Sequence, residues 1–148
     1  MVFTPITNNS VPEPAVNILY NNGSARVLAD GVVYAFDSSF SFAVRDEDAF
    51  KMMPATESIS IANAGNLLSI DARHMPQERD IHYLSVAKLT KPQYTMEIFG
   101  QQMDNSILHP FLLVKYLNTS QSLWLADTNR IFFNIIASDS ASSNPNRF

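Results

Sequence analysis

The sequence predicts an all-β protein, an antiparallel β-sandwich that is jelly-roll-like and carries one short helical turn. Three observations lead to this prediction. Apolar and polar residues alternate with a period of two in several short runs, which is typical of half-buried strands. Turn-forming Gly, Pro, Asn and Asp separate these runs at intervals of roughly 8–12 residues. No run keeps the 3.6-residue period of an amphipathic helix, so we expect about eight to ten short strands.

Turn signals bound the first elements of the chain. Asn22-Gly23 and Asp30-Gly31 are dipeptides that favour tight hairpin turns. They separate three predicted strands, at residues 16–20, 25–28 and 32–36. The predicted helical turn follows at residues 46–51, because Asp46, Glu47 and Asp48 would stabilise the N-terminus of a helix and Pro54 would end it.

The rest of the chain is predicted to consist of strands joined by polar connections. A hairpin is expected around residues 58–70, with its turn at residues 63–66. Residues 111–117 form a fuller apolar run, typical of a central or near-edge strand, and residues 118–120 would form the turn after it. Further strands are expected at residues 81–89, 92–100 and 129–138.

Length and composition are those of one folded domain. The chain has 148 residues, of which 46% are hydrophobic and 16% charged, and its net charge is −4. Residues 1–14 contain three prolines and are predicted to be a linker or lead-in to a single β-sandwich domain at residues 15–148. The weak negative charge offers no basic face, so we expect no nucleic-acid partner. No apolar run reaches about 18 residues, so we expect no membrane span.

Residues that commonly carry catalysis are absent or scattered. The chain has no cysteine, which excludes disulfides, thiol catalysis and zinc–thiolate sites. It has no Gly-x-Ser-x-Gly elbow, and its four glycines are too few for a phosphate-binding loop. Four carboxylates are compatible with exposed strand ends rather than with a facing catalytic pair, namely Asp71, Asp80, Glu97 and Asp104. The chain is therefore expected not to be an enzyme.

Two weak binding sites are indicated by residue type. Asp37, Asp46 and Asp48 would offer oxygen ligands to Ca²⁺, although a solvated helix start is the more common role for acids such as the last two. No other cofactor is expected.

The second candidate is a ligand platform made of Trp124, Tyr116 and Lys115. Trp124 is the single Trp, and a flat indole with a polar edge suits the apolar face of a sugar ring. Lys115 and Tyr116 lie at the outer end of the predicted strand at residues 111–117. Packing of Trp124 against the end of the sandwich is the more common arrangement for such a residue.

Five segments carry a resemblance to a known family. They are DGVVYAFDSSFSFAVRDEDAFKMM, ISIANAGNLLSIDARHMP, YTMEIFGQQMDNS, HPFLLVKYLNTSQSLWL and NRIFFNIIASDSASSNPNRF. In this order they resemble the β-sandwich module of large secreted Bacteroidota surface proteins, of the kind found just before a type IX secretion C-terminal sorting domain. The resemblance covers about residues 30–148. Arg45, Val114 and Asn146 depart from it, since the family usually has Asp there.

The resemblance implies a secreted or cell-surface domain without a reaction of its own, whose partners are other domains of the same large protein. Asp139-Ser140-Ala141 also resembles the Asp-Ser/Thr-apolar acceptor of O-glycosylation in Bacteroidota, which would place a glycan on Ser140. We expect a structural or adhesion module. Two alternatives stay open, a carbohydrate-binding module attached to an enzyme, and a self-assembling filament subunit that joins neighbouring subunits through open strand edges.

Overall fold

Strands dominate the computed structural model, which describes residues 12–52, 56–103 and 107–148. The described strands are β1 (Ala15–Asn22), β2 (Ala25–Phe36), β3 (Ala49–Phe50), β4 (Ser58–Asn63), β5 (Asn66–Arg73), β6 (Tyr83–Ala87), β7 (Gln93–Phe99), β8 (Phe111–Val114), β9 (Thr119–Ser122) and β10 (Thr128–Asn134). One 3₁₀ helix, Ser140–Ser143, follows them. The prediction of an all-β fold with about eight to ten short strands is confirmed.

Most strands belong to one mixed sheet. Its order is β10-β7-β1-β2-β5-β4-β6, and β3 pairs with β5 outside this path. β8 and β9 form a separate two-stranded sheet. The described pairs are antiparallel, as predicted, except that β2 and β5 run parallel. A parallel pair needs a long crossover, and residues 37–65 supply one that carries β3 and β4.

One hydrophobic core joins the two halves of the sheet. Side chains from β1, β4, β5, β6 and β7 meet there, the most buried being Ile18, Ile59, Leu68, Val86 and Met96. The large sheet therefore curls around its own inner face, which is what gives the fold its sandwich-like character. Leu112 and Val114 of β8 join the same core, so the β8–β9 hairpin is packed onto the large sheet.

Of the two hairpin turns predicted near the N-terminus, the structure contains the first but not the second. The turn at Asn22-Gly23 is confirmed, and Gly23 has a φ of +66°. Asp30-Gly31 instead lies inside β2, so the predicted strands at 25–28 and 32–36 are one strand. Ile18 lies opposite Asp30 and Leu19 opposite Leu28, which makes Ala29 the extra residue of a β-bulge. Asp and Gly are favoured both in β-bulges and in turns, so the dipeptide alone does not distinguish the two.

The predicted hairpin turn at residues 63–66 is confirmed. Asn63 and Asn66 pair across it, and Ala64 and Gly65 have φ values of +49° and +81°. Positive φ at both central residues is the type I′ geometry that matches the twist of the flanking strands.

The predicted helical turn at residues 46–51 is wrong. Residues 46–48 form a turn and Ala49–Phe50 is β3. The Asp48 carboxylate accepts hydrogen bonds from the amides of Arg45 and Ala72, and such local bonds compete with helix formation. Pro54 lies outside the described residues. The short helical turn is found at Ser140–Ser143, where Asp139 caps it.

The predicted strand at residues 111–117 is too long. β8 ends at Val114, residues 115–118 form the turn, and β9 returns through the residues that were predicted to be the turn. Asn118 adopts a φ of +50°, which suits a hairpin turn. β8 is also not a central strand, because among the described residues it pairs with β9 alone.

The chain before β1 is docked where it is described. The amides of Tyr34 and Phe36 donate to the carbonyls of Pro14 and Pro12 at 2.9 and 3.0 Å. Residues 1–11 of the predicted lead-in lie outside the described residues. None of the described segments forms a helix long and apolar enough to cross a lipid bilayer.

Candidate functional site

Trp124 projects from the loop between β9 and β10. Its neighbours Leu123 and Leu125 both pack against the core. Because the chain alternates between these two inward side chains, the indole between them faces outward, and it is 75% exposed. Packing of Trp124 against the end of the sandwich, the more common arrangement, does not occur.

Asn129 of β10 holds the Trp124 loop in place. Its Oδ1 accepts a hydrogen bond from the Trp124 amide at 2.8 Å, and its Nδ2 donates to the Trp124 carbonyl at 2.8 Å. The same Nδ2 lies within 3.3 Å of the carbonyls of Asp127 and Ile98. One amide side chain therefore ties the loop to itself and to β7.

Gly100 fixes the same loop from the other side. A Cβ added to Gly100 would lie 2.6 Å from the Cα of Leu125, closer than real Cβ contacts approach. The backbone of the loop can pack this tightly because Gly100 has no side chain. The exposed indole consequently stands on a fixed base, which lowers the entropy lost when a ligand binds.

The outer face of the β8–β9 hairpin continues from Trp124. Leu112 and Val114 face the core, so Phe111 and Leu113 face outward, and Phe111 is 64% exposed. Register places Ser122 opposite Phe111 and Ser120 opposite Leu113. We call this surface the hairpin face; it comprises Phe111, Leu113, Ser120, Ser122 and Trp124. It combines apolar and aromatic groups with hydroxyls and has no charged member.

Lys115 and Tyr116 lie at the opposite end of the hairpin from Trp124. The Leu123 amide donates to the Pro110 carbonyl, so Trp124 is beside the start of β8, whereas Lys115 follows its end. Strand residues rise ~3.3 Å each, so the four residues of β8 separate the two ends by about 13 Å. The structure therefore does not bring the three predicted ligand residues together.

Both turn residues contact other parts of the protein. The Lys115 ammonium lies 5.0 Å from the centre of the Tyr83 ring. The Tyr116 hydroxyl donates to the Asp139 carboxylate at 2.8 Å, and this bond raises the pKa of Tyr116. The buried Arg147 guanidinium stacks on the Tyr116 ring and donates to the Ser142 carbonyl. Tyr116 therefore fastens the hairpin turn to the C-terminal segment.

The three predicted calcium ligands do not converge. Asp37 accepts hydrogen bonds from the amide and hydroxyl of Ser39, which lower its pKa. Asp48 is occupied by two backbone amides, and Asp46 is exposed in the turn before it. Among the described residues, no three acidic or histidine side chains form a group that could hold a metal ion.

Ser140 begins the 3₁₀ helix and is exposed. The Asp139 side chain before it is engaged, because one oxygen accepts from the Ala141 amide and the other from Tyr116. Ser140 is thus accessible for modification, on a rigid support.

A buried polar cluster was missed by the sequence analysis. Asp71, expected at an exposed strand end, is fully buried, and Arg73 Nε lies 3.0 Å from its Oδ2. Arg73 Nη1 also lies 3.0 Å from Nδ1 of His82, whose ring packs edge-on against Tyr34 at 5.0 Å. We call Tyr34, Asp71, Arg73 and His82 the polar latch.

A bulge in β5 turns Asp71 inward. Ala49 pairs with Ile70 and Phe50 with Leu68, so Ser69 is an extra residue in β5. Leu68 and Asp71 are consequently both buried although they are three residues apart. Strict alternation would have placed Asp71 outside, and no residue type near Ser69 predicts the bulge.

The environment of the latch shifts the pKa of its members. Burial raises the pKa of Asp71, although Arg73 opposes that shift. Burial also raises the pKa of Tyr34, and the Asp71 charge adds to it. For His82, burial and the Arg73 charge lower the pKa to about 4. Four buried atoms of the latch have no hydrogen-bond partner, namely Tyr34 Oη, Asp71 Oδ2, Arg73 Nε and His82 Nε2, so the contact between Asp71 and Arg73 is an ion pair without hydrogen-bond geometry.

Glu97 is a second carboxylate that was expected to be exposed and is buried. It accepts from Arg26 at 2.9 Å and Arg130 at 3.0 Å on the outer face of the large sheet. Asp104, the last of the carboxylates considered, lies outside the described residues.

Comparisons with known proteins give no match for this chain: no family model, no curated protein and no solved structure resembles it closely enough to count. The function is therefore argued from the geometry of the hairpin face and of the polar latch.

Proposed function

We propose that this chain is a non-catalytic adhesion module of a secreted or cell-surface bacterial protein, and that the hairpin face is its contact surface. The observation that carries the proposal is the exposure of Trp124 on a loop fixed by Asn129. Exposed Trp residues on rigid supports are typical of contact surfaces, where they bury large areas at low entropic cost.

The chemistry of the hairpin face favours a carbohydrate as its ligand. An aromatic ring covers the apolar face of a pyranose, while neighbouring hydroxyls exchange hydrogen bonds with the sugar. Phe111 and Trp124 supply the rings, and Ser120 and Ser122 of β9, both exposed and uncharged, supply the hydroxyl groups. A neutral glycan fits this surface better than an anionic one, because none of its members is cationic.

The cellular setting is part of the same proposal. The resemblance to Bacteroidota surface modules supports secretion through a sorting domain elsewhere in a larger protein, with other domains of that protein as partners. A glycan-binding module that serves an attached enzyme and an adhesion module would use the hairpin face in the same way.

A glycan-array screen of the purified protein tests the proposal. We expect retention on neutral glycans, and Trp124→Ala is expected to weaken it at least ~30-fold, since truncation of a central aromatic contact costs about 2 kcal/mol or more. Phe132→Ala is the matched control, because Phe132 is 69% exposed on β10 and lies outside the hairpin face. Equal losses in both variants would contradict the assignment.

Two further measurements test the calcium site and the filament-subunit alternative. Binding that disappears when Ca²⁺ is chelated would return Asp37, Asp46 and Asp48 to consideration as ligands. Size-exclusion chromatography at two concentrations tests assembly through strand edges, since a concentration-dependent size would favour the filament subunit. A blank on every glycan, with a folded monomer, would exclude a carbohydrate ligand and leave contact with protein as the role of the hairpin face.

A further inference from the structure

We propose that the polar latch is an acid-sensitive device, in which protonation of His82 releases residues 74–82, the connection between β5 and β6, from the sheet. The connection is held at its end by His82, which sits between the Tyr34 and Phe36 rings and the Arg73 guanidinium. The proposal does not depend on what the hairpin face binds.

The protonation state of His82 follows from its partner. A guanidinium only donates hydrogen bonds, so Nδ1 of His82 must accept the bond from Arg73 Nη1. The ring is therefore neutral, with its proton on Nε2. Asp71 contacts the other side of the Arg73 guanidinium and fixes its position. The guanidinium therefore keeps donating to Nδ1 of His82, which determines the tautomer.

A second proton on the ring would destroy this arrangement. It would sit on Nδ1 and point at an N–H of Arg73, 3.0 Å away, which places two donors and two cations face to face. Asp71 does not serve the protonated ring, since its Oδ2 faces Arg73, and the carboxylate whose charge acts on His82 is Asp80. The charged ring would consequently leave the site rather than find a new partner within it.

The other charged groups around His82 do not offset this repulsion. From β2 the neighbour is Tyr34, which stays uncharged. Asp48 lies beside Asp71 and is bonded to backbone amides. Asp80, in the connection itself, favours the protonated ring, but burial and Arg73 outweigh it. Asp80 also accepts from the Gln77 amide, so it is engaged locally.

The sign of the pH effect follows from the two states. The pKa of His82 is about 4 in the folded protein, against about 6.5 for a free histidine. The neutral His82 ring makes its full contribution to the free energy of unfolding above about pH 6.5, and this contribution is lost as the pH falls toward 4. The released state binds one more proton than the closed state, so acid favours release.

Release would extend to the hairpin turn. Tyr83 follows His82 directly, and its ring carries the Lys115 ammonium at 5.0 Å. Movement of residue 82 therefore disturbs the one described ring contact of Lys115. At the start of the connection Met75 packs against the core and the His74 ring lies 5.7 Å from the Phe42 ring, whereas Gln77 and Asp80, nearer to His82, bond to each other.

Hydrogen exchange and histidine NMR test the proposal. Between pH 7.5 and 4.5, exchange in residues 74–83 should rise roughly 50- to 100-fold after correction for the intrinsic effect of pH, while β1 and β7 change far less. The ¹⁵N spectrum should show His82 as the neutral Nε2–H form down to about pH 5.

His82→Gln is the matched variant, because its amide oxygen accepts from Arg73 but does not titrate. It should lose most of the acid-induced exchange, whereas His74→Gln should keep it. If His82 titrates near pH 6.5 in the wild type, or if His82→Gln opens over the same pH range, the latch does not exist. The wild-type NMR measurement decides the question even if the variant fails to fold.

Discussion

The polar latch and the hairpin face depart from the usual distribution of residues in opposite directions. The latch combines the buried Asp71 carboxylate with the partly buried side chains of Arg73 and a neutral His82. The hairpin face leaves an indole and a phenyl ring in water. Buried polar groups need partners, yet four buried polar atoms of the latch have no hydrogen bond, so the Asp71–Arg73 ion pair and the Arg73–His82 contact hold it together. Exposed aromatic groups lack a partner, and the hairpin face therefore points to contact with another molecule.

The two regions also differ in what holds them. The latch depends on interactions among its own side chains, so it is expected to respond to any change of charge within it. The hairpin face depends on a backbone support, Asn129 and Gly100, which lies beneath it and does not form part of it. Mutations in the latch should therefore change the stability of the protein, whereas mutations in the hairpin face or its support should change ligand binding.

The largest effect on stability is expected at Asp71. Asp71→Ala leaves the Arg73 guanidinium buried without its carboxylate, which typically costs about 3–5 kcal/mol. Urea denaturation measures this loss, with Asp46→Ala as the control at an exposed acid that should change stability by less than about 0.5 kcal/mol. A loss below ~1 kcal/mol for Asp71→Ala would mean that the pair is not a buried unit.

Gly100→Ala should have the next largest effect and should move the Trp124 loop. The new Cβ meets the Leu125 backbone, which must shift, and such overpacking costs about 1–3 kcal/mol. Since Trp124 is the single Trp, its fluorescence reports on this loop alone. Gly23→Ala is the control, because it introduces strain at positive φ without any atom within 4 Å. An unchanged emission spectrum in Gly100→Ala would contradict the close packing.

Asn129→Ala should loosen the loop at a smaller cost in stability. It removes the bonds to the Trp124 amide and carbonyl, and a net loss of about 1 kcal/mol is expected from partly exposed hydrogen bonds. Fluorescence anisotropy of Trp124 should fall as the indole gains freedom. Asn134→Ala, at an outward position at the other end of β10, should leave the anisotropy unchanged.

Trp124→Ala is expected to leave stability within about 0.5 kcal/mol of the wild type, because the side chain makes little contact with the core. The same variant should lose ligand retention. It therefore contrasts with Asp71→Ala, which is expected to lower stability. Thermal denaturation checks the stability, and a destabilisation above ~1 kcal/mol would show that Trp124 is a packing residue after all.

The alternation of apolar and polar residues predicted where strands occur, but not which strands run parallel or where the alternation is interrupted. Alternation located β4, β5, β6, β7 and β10, and the Asn63–Asn66 turn was recognised because positive φ favours specific residues. The parallel β2–β5 pair, the bulge at Ser69 and the burial of Asp71 depend on which distant strands become neighbours. Local sequence carries no signal for those pairings.

The candidate site was predicted in part. Residue type alone singled out Trp124, and its exposure became known from the inward packing of Leu123 and Leu125. Lys115 and Tyr116 were grouped with it because the strand at residues 111–117 was predicted too long, which hid the hairpin that separates them. His82 was undervalued because a lone histidine in sequence gives no hint of a guanidinium beside it.

The position of β1 has a consequence for synthesis of the protein on the ribosome. β1 pairs with β2 along one edge and with β7 along the other, and β7 begins only at Gln93. A nascent chain that ends before β7 can close the β1–β2 hairpin but leaves the other edge of β1 without hydrogen-bond partners. The centre of the large sheet is therefore completed late, and chaperones that shield open strand edges have their longest opportunity to act on β1.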